Sequence, residues 1–253
     1  MTWSKGQTEM NVAILAINLD RSTDRWGILA DRATALGLPL TRVSAVDGRQ
    51  VPGTEREAVD DAAFRRNTGR LMLPGEYGCY RSHIKALNAF LATDGDIALI
   101  IEDDVELSAD LKDRVQAAFE AVPDADVIKF FNHRVVGFRK TNTSRLGDDI
   151  GRAIHGPLGS SACYAVSRPG AALLIEHLTI MRYPWDAALE RGWDHGGHVY
   201  TTRKHMANIT RGGTTIATRD IYRTVKFPKW KRLGTYVRRL RDDFVRLAYA
   251  LRA

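Results

Sequence analysis

The alternation of short apolar runs with helix-period segments constrains this chain most. "NVAILAINL" (11–19) is strand-forming almost throughout, and "LTRVSAV" (40–46) follows after a segment of helical spacing. Between them Trp26, Leu29, Ala33 and Leu36 fall on one side of a helix predicted from Thr23 to Leu36. Asp24 sits in its first turn, and Gly37 and Pro39 mark its end. Strand, helix, strand within 36 residues is the βαβ unit, which predicts a mostly parallel sheet with helices on both faces and ligands beyond the carboxyl ends of the strands.

The pattern continues. After a charged segment (54–68), helical spacing resumes from about Glu76 to Ala92, followed by the strand "IALII" (97–101), a helix around Ala109 to Val122 and the strand "DVIKFF" (126–131). Residues 132–155 show no periodicity and are expected to form a long loop. "SSACYAVS" (160–167) reads as a strand, Ser167 as the cap of a helix with Pro169 in its first turn, and "GHVYTTR" (197–203) as a further strand.

With 44% hydrophobic and 26% charged residues the composition is that of a folded globular chain, which excludes disordered and fibrous classes. Cys79 and Cys163 are read as forming no CxxC pair and no Cys/His spacing, so neither a disulfide framework nor a cysteine-built zinc site is expected, in keeping with a reducing compartment. No basic-then-apolar leader is visible, and "VAILAINL" is too short to span a bilayer, so a cytoplasmic location is expected.

The net charge of +7 is concentrated at one end. Residues 226–253 hold nine Lys and Arg against Asp242 and Asp243, and the rest of the chain balances. In that tail Trp230, Leu233, Val237, Leu240, Phe244, Leu247 and Leu251 recur at steps of three and four, with Lys231, Arg232, Arg238, Arg239 and Arg246 elsewhere on the helix. The expectation is a domain over 1–225 and a basic amphipathic helix over 226–253 that lies on an anionic membrane surface, the alternative being a helix packed on the domain with a solvated basic face. No basic patch with interleaved aromatics supports nucleic-acid binding.

Within "IALIIEDDVELS" an apolar strand ends in three consecutive acids, Glu102, Asp103 and Asp104. Two carboxylates about 5 Å apart repel by roughly 3 kcal/mol at an effective dielectric of about 20, so a cation is expected among them. In an extended chain Glu102 and Asp104 share a face and Asp103 points the other way. A pair of oxygen ligands at a strand's end suits Mg²⁺ or Mn²⁺, while an acidic start to the next helix is the alternative.

Taken together, "INLDRSTDR" (17–25), "SAVDG" (44–48), "LPGEYGCYRSHIKAL" (73–87) and "LIIEDDVELS" (99–108) resemble, in order, the signature of glycosyltransferase family 25. This is the group of bacterial lipopolysaccharide glycosyltransferases related to the sugar-transfer domains of collagen-modifying enzymes. The resemblance implies a GT-A type, Rossmann-like α/β fold and an inverting, metal-dependent transfer of galactose or glucose from a UDP-sugar to a lipid-linked oligosaccharide at the inner face of the inner membrane.

Residue by residue, it implies a metal at Glu102 and Asp104 and a donor held by Asn18, Arg21, Arg25, Asp47 and Asp103, with Arg21 or Arg25 near phosphate and Asp47 beside the uridine. Glu76, Ser82 and His83 would shape the site. Asp186 in "YPWDAALERGW" would be the base, with Glu190 and Asp194 as rivals and Pro184 and Trp185 as an apolar wall. A late histidine would complete the metal shell, His205 preferred over His195 and His198. The competing readings are a nucleotide-sugar and metal-binding module without transfer activity, and a membrane-surface adaptor.

Overall fold

A computed structural model describes residues 10–210 and 219–252. The strands are β1 (Val12–Asn18), β2 (Leu40–Ser44), β3 (Ile97–Glu102), β4 (Val105–Glu106), β5 (Val127–Lys129), β6 (Val136–Thr143), β7 (Asp149–His155), β8 (Cys163–Ser167), β9 (Val199–Thr202) and β10 (Asn208–Ile209). The helices are α1 (Thr23–Ala35), α2 (Asp61–Thr68), α3 (Pro74–Leu91), α4 (Leu111–Ala121), α5 (Arg168–Leu178), α6 (Trp185–Leu189), α7 (Gly192–His195), α8 (Arg219–Thr224) and α9 (Leu233–Leu251).

Eight strands form one sheet in the order β2-β1-β3-β8-β5-β9-β7-β6. Six share a direction, and only β8 and β7 run against it. This is the expected mostly parallel α/β sheet, and period-2 alternation explains its two cores. Val12, Ile14, Ala16, Leu99 and Ile101 face the side covered by α1 and α4, where they meet Leu29, Val115 and Phe119. Leu15, Ile17, Ala98 and Ile100 face the other side and meet Tyr80, Leu87 and Phe90 of α3.

Local signals behave as read. Gly37 takes a φ of +65° just beyond α1, and the Ser167 hydroxyl accepts from the Gly170 N–H at 3.1 Å to cap α5.

Residues 132–155 depart from expectation. They form the β6–β7 hairpin at the sheet edge. All but one of the eight β6 residues are exposed, so that strand carries no apolar alternation, and β7 interrupts its buried Ile150 and Ala153 with Gly151 and Arg152. A charged, solvated edge strand has no periodicity to read.

The C-terminal helix is not packed on the domain through an apolar face. It lies on the domain, but through its polar side. The Arg191 guanidinium donates to both oxygens of Asp242 (2.7 and 2.9 Å), Arg246 pairs with buried Glu190, Arg152 donates to Tyr249 O (2.8 Å), and Tyr249 Oη accepts from Val199 N (2.7 Å) and donates to Gly197 O (2.8 Å). The apolar stripe faces out, with Trp230 70%, Val237 69% and Phe244 66% exposed. No helix among the described residues is long and apolar enough to cross a membrane.

Candidate active site

Two glycines bring the first pieces together. A Cβ on Gly48 would lie 1.9 Å from Pro74 O, and one on Gly78 would lie 2.4 Å from Val46 O, so the loop after β2 and the first turn of α3 touch backbone to backbone. Val46 N donates to Ser82 Oγ (2.8 Å), which donates to Gly78 O (2.6 Å), fixing the contact. Asp47 is thereby held at the mouth of a cleft of about 80 Å³ that Arg21, Ser82, His83, Glu102 and Asp103 also line. Arg21 Nε meets Asp47 Oδ2 at 2.8 Å, and this hydrogen bond, with that from the Arg49 N–H, holds the Asp47 carboxyl below the usual range.

Strand β3 ends at Glu102. The chain then turns through Asp103 and Asp104 into β4, which is clasped antiparallel by β10. Glu102 and Asp104 both line a larger cavity of about 630 Å³, shared with Glu76, Trp185 and Asp186. Asp103 turns away, accepting from Asn18 Nδ2 (2.8 Å) and pairing with Arg25 (3.1 Å). The two cavities have Cys79 and Glu102 as a common wall.

Carboxylate oxygens such as these are the ligands that a hard divalent ion takes. Asp104 Oδ1 is buried without a hydrogen-bond partner. Burial, then the charges of Glu102 and Asp103, push its carboxyl up to about 6. An anionic oxygen pair in that state is relieved by a cation.

Asp186, in the first turn of α6, is the one rival base that lines the larger cavity. Its Oδ1 accepts from the Ala187 N–H at 2.8 Å, and burial raises its pKa while Lys129 opposes the rise. Glu190 is committed elsewhere, accepting from Leu158 N (2.9 Å) and pairing with Arg246. Asp194 pairs with Arg191 and lines a separate pocket beside His195.

Other candidates are positioned differently from expectation. Buried Asn18 accepts from Arg42 (2.7 Å) and donates to Ser22 O and Asp103, so it organises the loop around the cleft rather than lining it. Arg25 likewise reaches Asp103 and does not line the cleft. His205 is exposed, its ring 4.6 Å from that of Phe131, and is not among the residues lining the large cavity. His133, which sequence reasoning passed over, is. His195 is buried and His198 pairs with Asp124 at 2.9 Å.

Several contributors carried no local signal. Arg70 pairs with buried Glu76, which also accepts from Leu73 N (3.0 Å), and both line the large cavity. Ser160, a non-glycine residue at φ +60°, turns the chain so that Ser161 Oγ donates to Glu102 Oε1 at 3.1 Å. Only the glycine at 159 hinted at that turn.

Comparison with known proteins finds sequence relatives. A curated "Glycosyltransferase 25 family member" from Aedes aegypti is 30% identical over 109 residues, 40% of this chain, and the chain spans 18% of that relative's length. Among solved structures the chain is similar to a glycosyltransferase involved in the glycosylation of the major capsid of PBCV-1, with 11% identity and a TM-score of 0.36 over 67% of this chain and 65% of that one. Residues 11–189, more than two thirds of the chain, match the sequence profile "Glycosyltransferase family 25 (LPS biosynthesis protein)" and include every motif from the first strand to Asp186. The chain therefore belongs to glycosyltransferase family 25.

Proposed function

We propose that the protein is an inverting glycosyltransferase that moves a hexose, galactose or glucose, from a UDP-sugar to a glycan acceptor. The observation that carries this reading is the convergence of Glu102, Asp104 and Asp186 on one cavity whose wall is shared with the Arg21–Asp47 cleft. A nucleotide in the cleft would leave its sugar in the cavity, with Arg21 close to the phosphates and Asp47 on the nucleoside side. Asn18, Arg25 and Asp103 brace that cleft through their mutual hydrogen bonds.

Glu102 and Asp104 would hold Mn²⁺ or Mg²⁺, with His133, which lines their cavity, as third partner in place of His205. The ion would supply electrostatic neutralisation of the departing diphosphate. Asp186 takes the proton from the acceptor hydroxyl as that oxygen attacks the anomeric carbon from the face opposite the diphosphate. Burial suits it to this role, because a carboxylate of raised pKa is a stronger base. Trp185, stacked on His83 at 5.2 Å with an interplanar angle of 8°, gives the cavity a rigid aromatic wall beside the sugar.

The acceptor is proposed to be lipid-linked, as for lipopolysaccharide, with the protein peripheral on the cytoplasmic face of the inner membrane. The outward apolar stripe of α9 supports this. Its polar side is occupied by the domain, so the stripe and the flanking Lys229, Lys231 and Arg239 face solvent, the combination that an anionic lipid surface complements.

UDP release from a panel of UDP-sugars, with Mn²⁺ and with EDTA, tests the reading. Release with one UDP-hexose and an acceptor glycan, lost in EDTA and in Asp186→Asn, is expected. Thermal stabilisation by UDP-sugar and Mn²⁺ with no product under any acceptor would instead identify a binding module without transfer activity. Vesicle binding with no response to nucleotide would identify a membrane-surface adaptor.

A further inference from the structure

Cys79 and His83 stand four residues apart on α3, one turn of helix, and therefore project from the same face. Opposite them is Glu102 at the end of β3. One donor atom from each of the three lies within 4.8 Å of the others. His83 Nε2 is buried, has no hydrogen-bond partner, and lies 3.6 Å from Glu102 Oε1. Zinc bond lengths of about 2.0–2.3 Å at tetrahedral angles put ligand atoms roughly 3.3–3.7 Å apart. The His–Glu separation already falls there, and a modest rotation brings in the thiol.

The surrounding groups orient the three as ligands. His83 Nδ1 is engaged by Tyr164 Oη at 3.1 Å and the ring is clamped on Trp185, which leaves Nε2 as the free nitrogen. Ser161 Oγ donates to Glu102 Oε1. Cys79 and Glu102 line both cavities, so a fourth position opens toward the cleft. A thiol, an imidazole and a single carboxylate form a set for zinc-class ions rather than for Mg²⁺.

We infer that Cys79, His83 and Glu102 bind a thiophilic divalent ion of the zinc class, and that this ion competes with the hard-ion site for Glu102. Coordination expels the Cys79 thiol proton to solvent. This corrects the sequence expectation, which found no CxxC pair and no Cys/His spacing: His83 follows Cys79 by four residues, a spacing that becomes a ligand pair because α3 puts both on one face.

Co²⁺ titration of the full chain tests the assignment through an optical readout that does not depend on transfer activity. One equivalent is expected to produce a near-ultraviolet sulfur-to-cobalt charge-transfer band that Zn²⁺ removes. The band is expected to vanish in Cys79→Ser and to persist in Cys163→Ser, with zinc affinity falling at least about tenfold in Cys79→Ser, since even outer partners of a metal site are worth that much. No band in the native chain, or a band that follows Cys163, would overturn the site. Should Cys79→Ser fold poorly, alkylation of the native chain decides: Zn²⁺ is expected to slow iodoacetamide modification of Cys79 by more than about tenfold, and an unchanged rate would equally overturn it.

Discussion

Replacing Asp104 by Asn should stabilise the metal-free protein while removing its response to metal. In the folded chain burial, reinforced by Glu102 and Asp103, raises the Asp104 carboxyl from 3.8 to about 6. That rise corresponds to about 3 kcal/mol, and because Asp104 is only half-buried, solvent screening reduces this to ~1–2 kcal/mol. The sign comes from proton counting. Between about pH 4 and pH 6 the folded state holds more protons than the unfolded one, so stability falls as pH rises, and the whole cost is present near neutrality.

Asp104→Asn removes that ionisation. In EDTA near neutral pH the variant should therefore melt higher by roughly 2–8 °C, at 2–4 °C per kcal/mol for a domain of this size, and the gain should shrink toward zero near pH 4. Added Mn²⁺ should raise the melting temperature of the native chain and leave that of the variant unchanged. Scanning fluorimetry at two pH values, with EDTA and with Mn²⁺, reads all four conditions. A variant that is less stable in EDTA, or equally shifted at both pH values, would refute the claim that Asp104 sits in an uncompensated anionic pocket.

Other perturbations probe the remaining parts of the molecule separately. Gly48→Ala forces a Cβ against Pro74 O and should cost about 2–3 kcal/mol or more in urea unfolding, with UDP affinity falling too because Asp47 shifts. Arg246→Ala leaves Glu190 buried with Lys129 at 3.9 Å and the Leu158 N–H as its partners and should destabilise by about 3 kcal/mol by the same assay, whereas exposed Arg239→Ala should be nearly neutral. Asp186→Asn should abolish transfer yet keep UDP binding, and in the native enzyme the rate should fall as pH drops through the raised pKa of this base. Leu240→Ser with Phe244→Ser should weaken binding to anionic vesicles on the order of a hundredfold, about 3 kcal/mol of lost apolar burial, without lowering the melting temperature.

Periodicity and punctuation made part of this fold legible in the sequence. The apolar runs of β1 and β3, the helix closed by Gly37 and the Ser167 cap each depend on neighbours in sequence, and each lies where its pattern implied. Glu102 and Asp104 share the larger cavity as strand alternation implied, but the chain turns at Asp103 and Asp104 instead of staying extended, and Glu102 also lines the cleft with Asp103. The β6–β7 hairpin was not legible, because its outer strand is solvated on both faces.

The orientation of α9 was hidden more deeply. Its amphipathic pattern specifies two faces, but which one meets the domain is decided by Glu190, Arg191 and Arg152, more than forty residues away in the chain. The same holds for the site. That Glu190 is occupied by Arg246, that His133 rather than His205 lines the cavity, and that Ser161 reaches Glu102 are consequences of strand order, which no local spacing encodes.

The most direct test of the central claim is the coupling between Mn²⁺ and UDP, monitored by the electron paramagnetic resonance signal of free Mn²⁺. If the acids at the end of β3 clamp an ion that holds the diphosphate, UDP should tighten Mn²⁺ binding to the native protein by roughly tenfold or more beyond its effect in buffer, and Glu102→Gln and Asp104→Asn should each erase that coupling. Equal Mn²⁺ binding by the native protein and both variants, with UDP present, would contradict it.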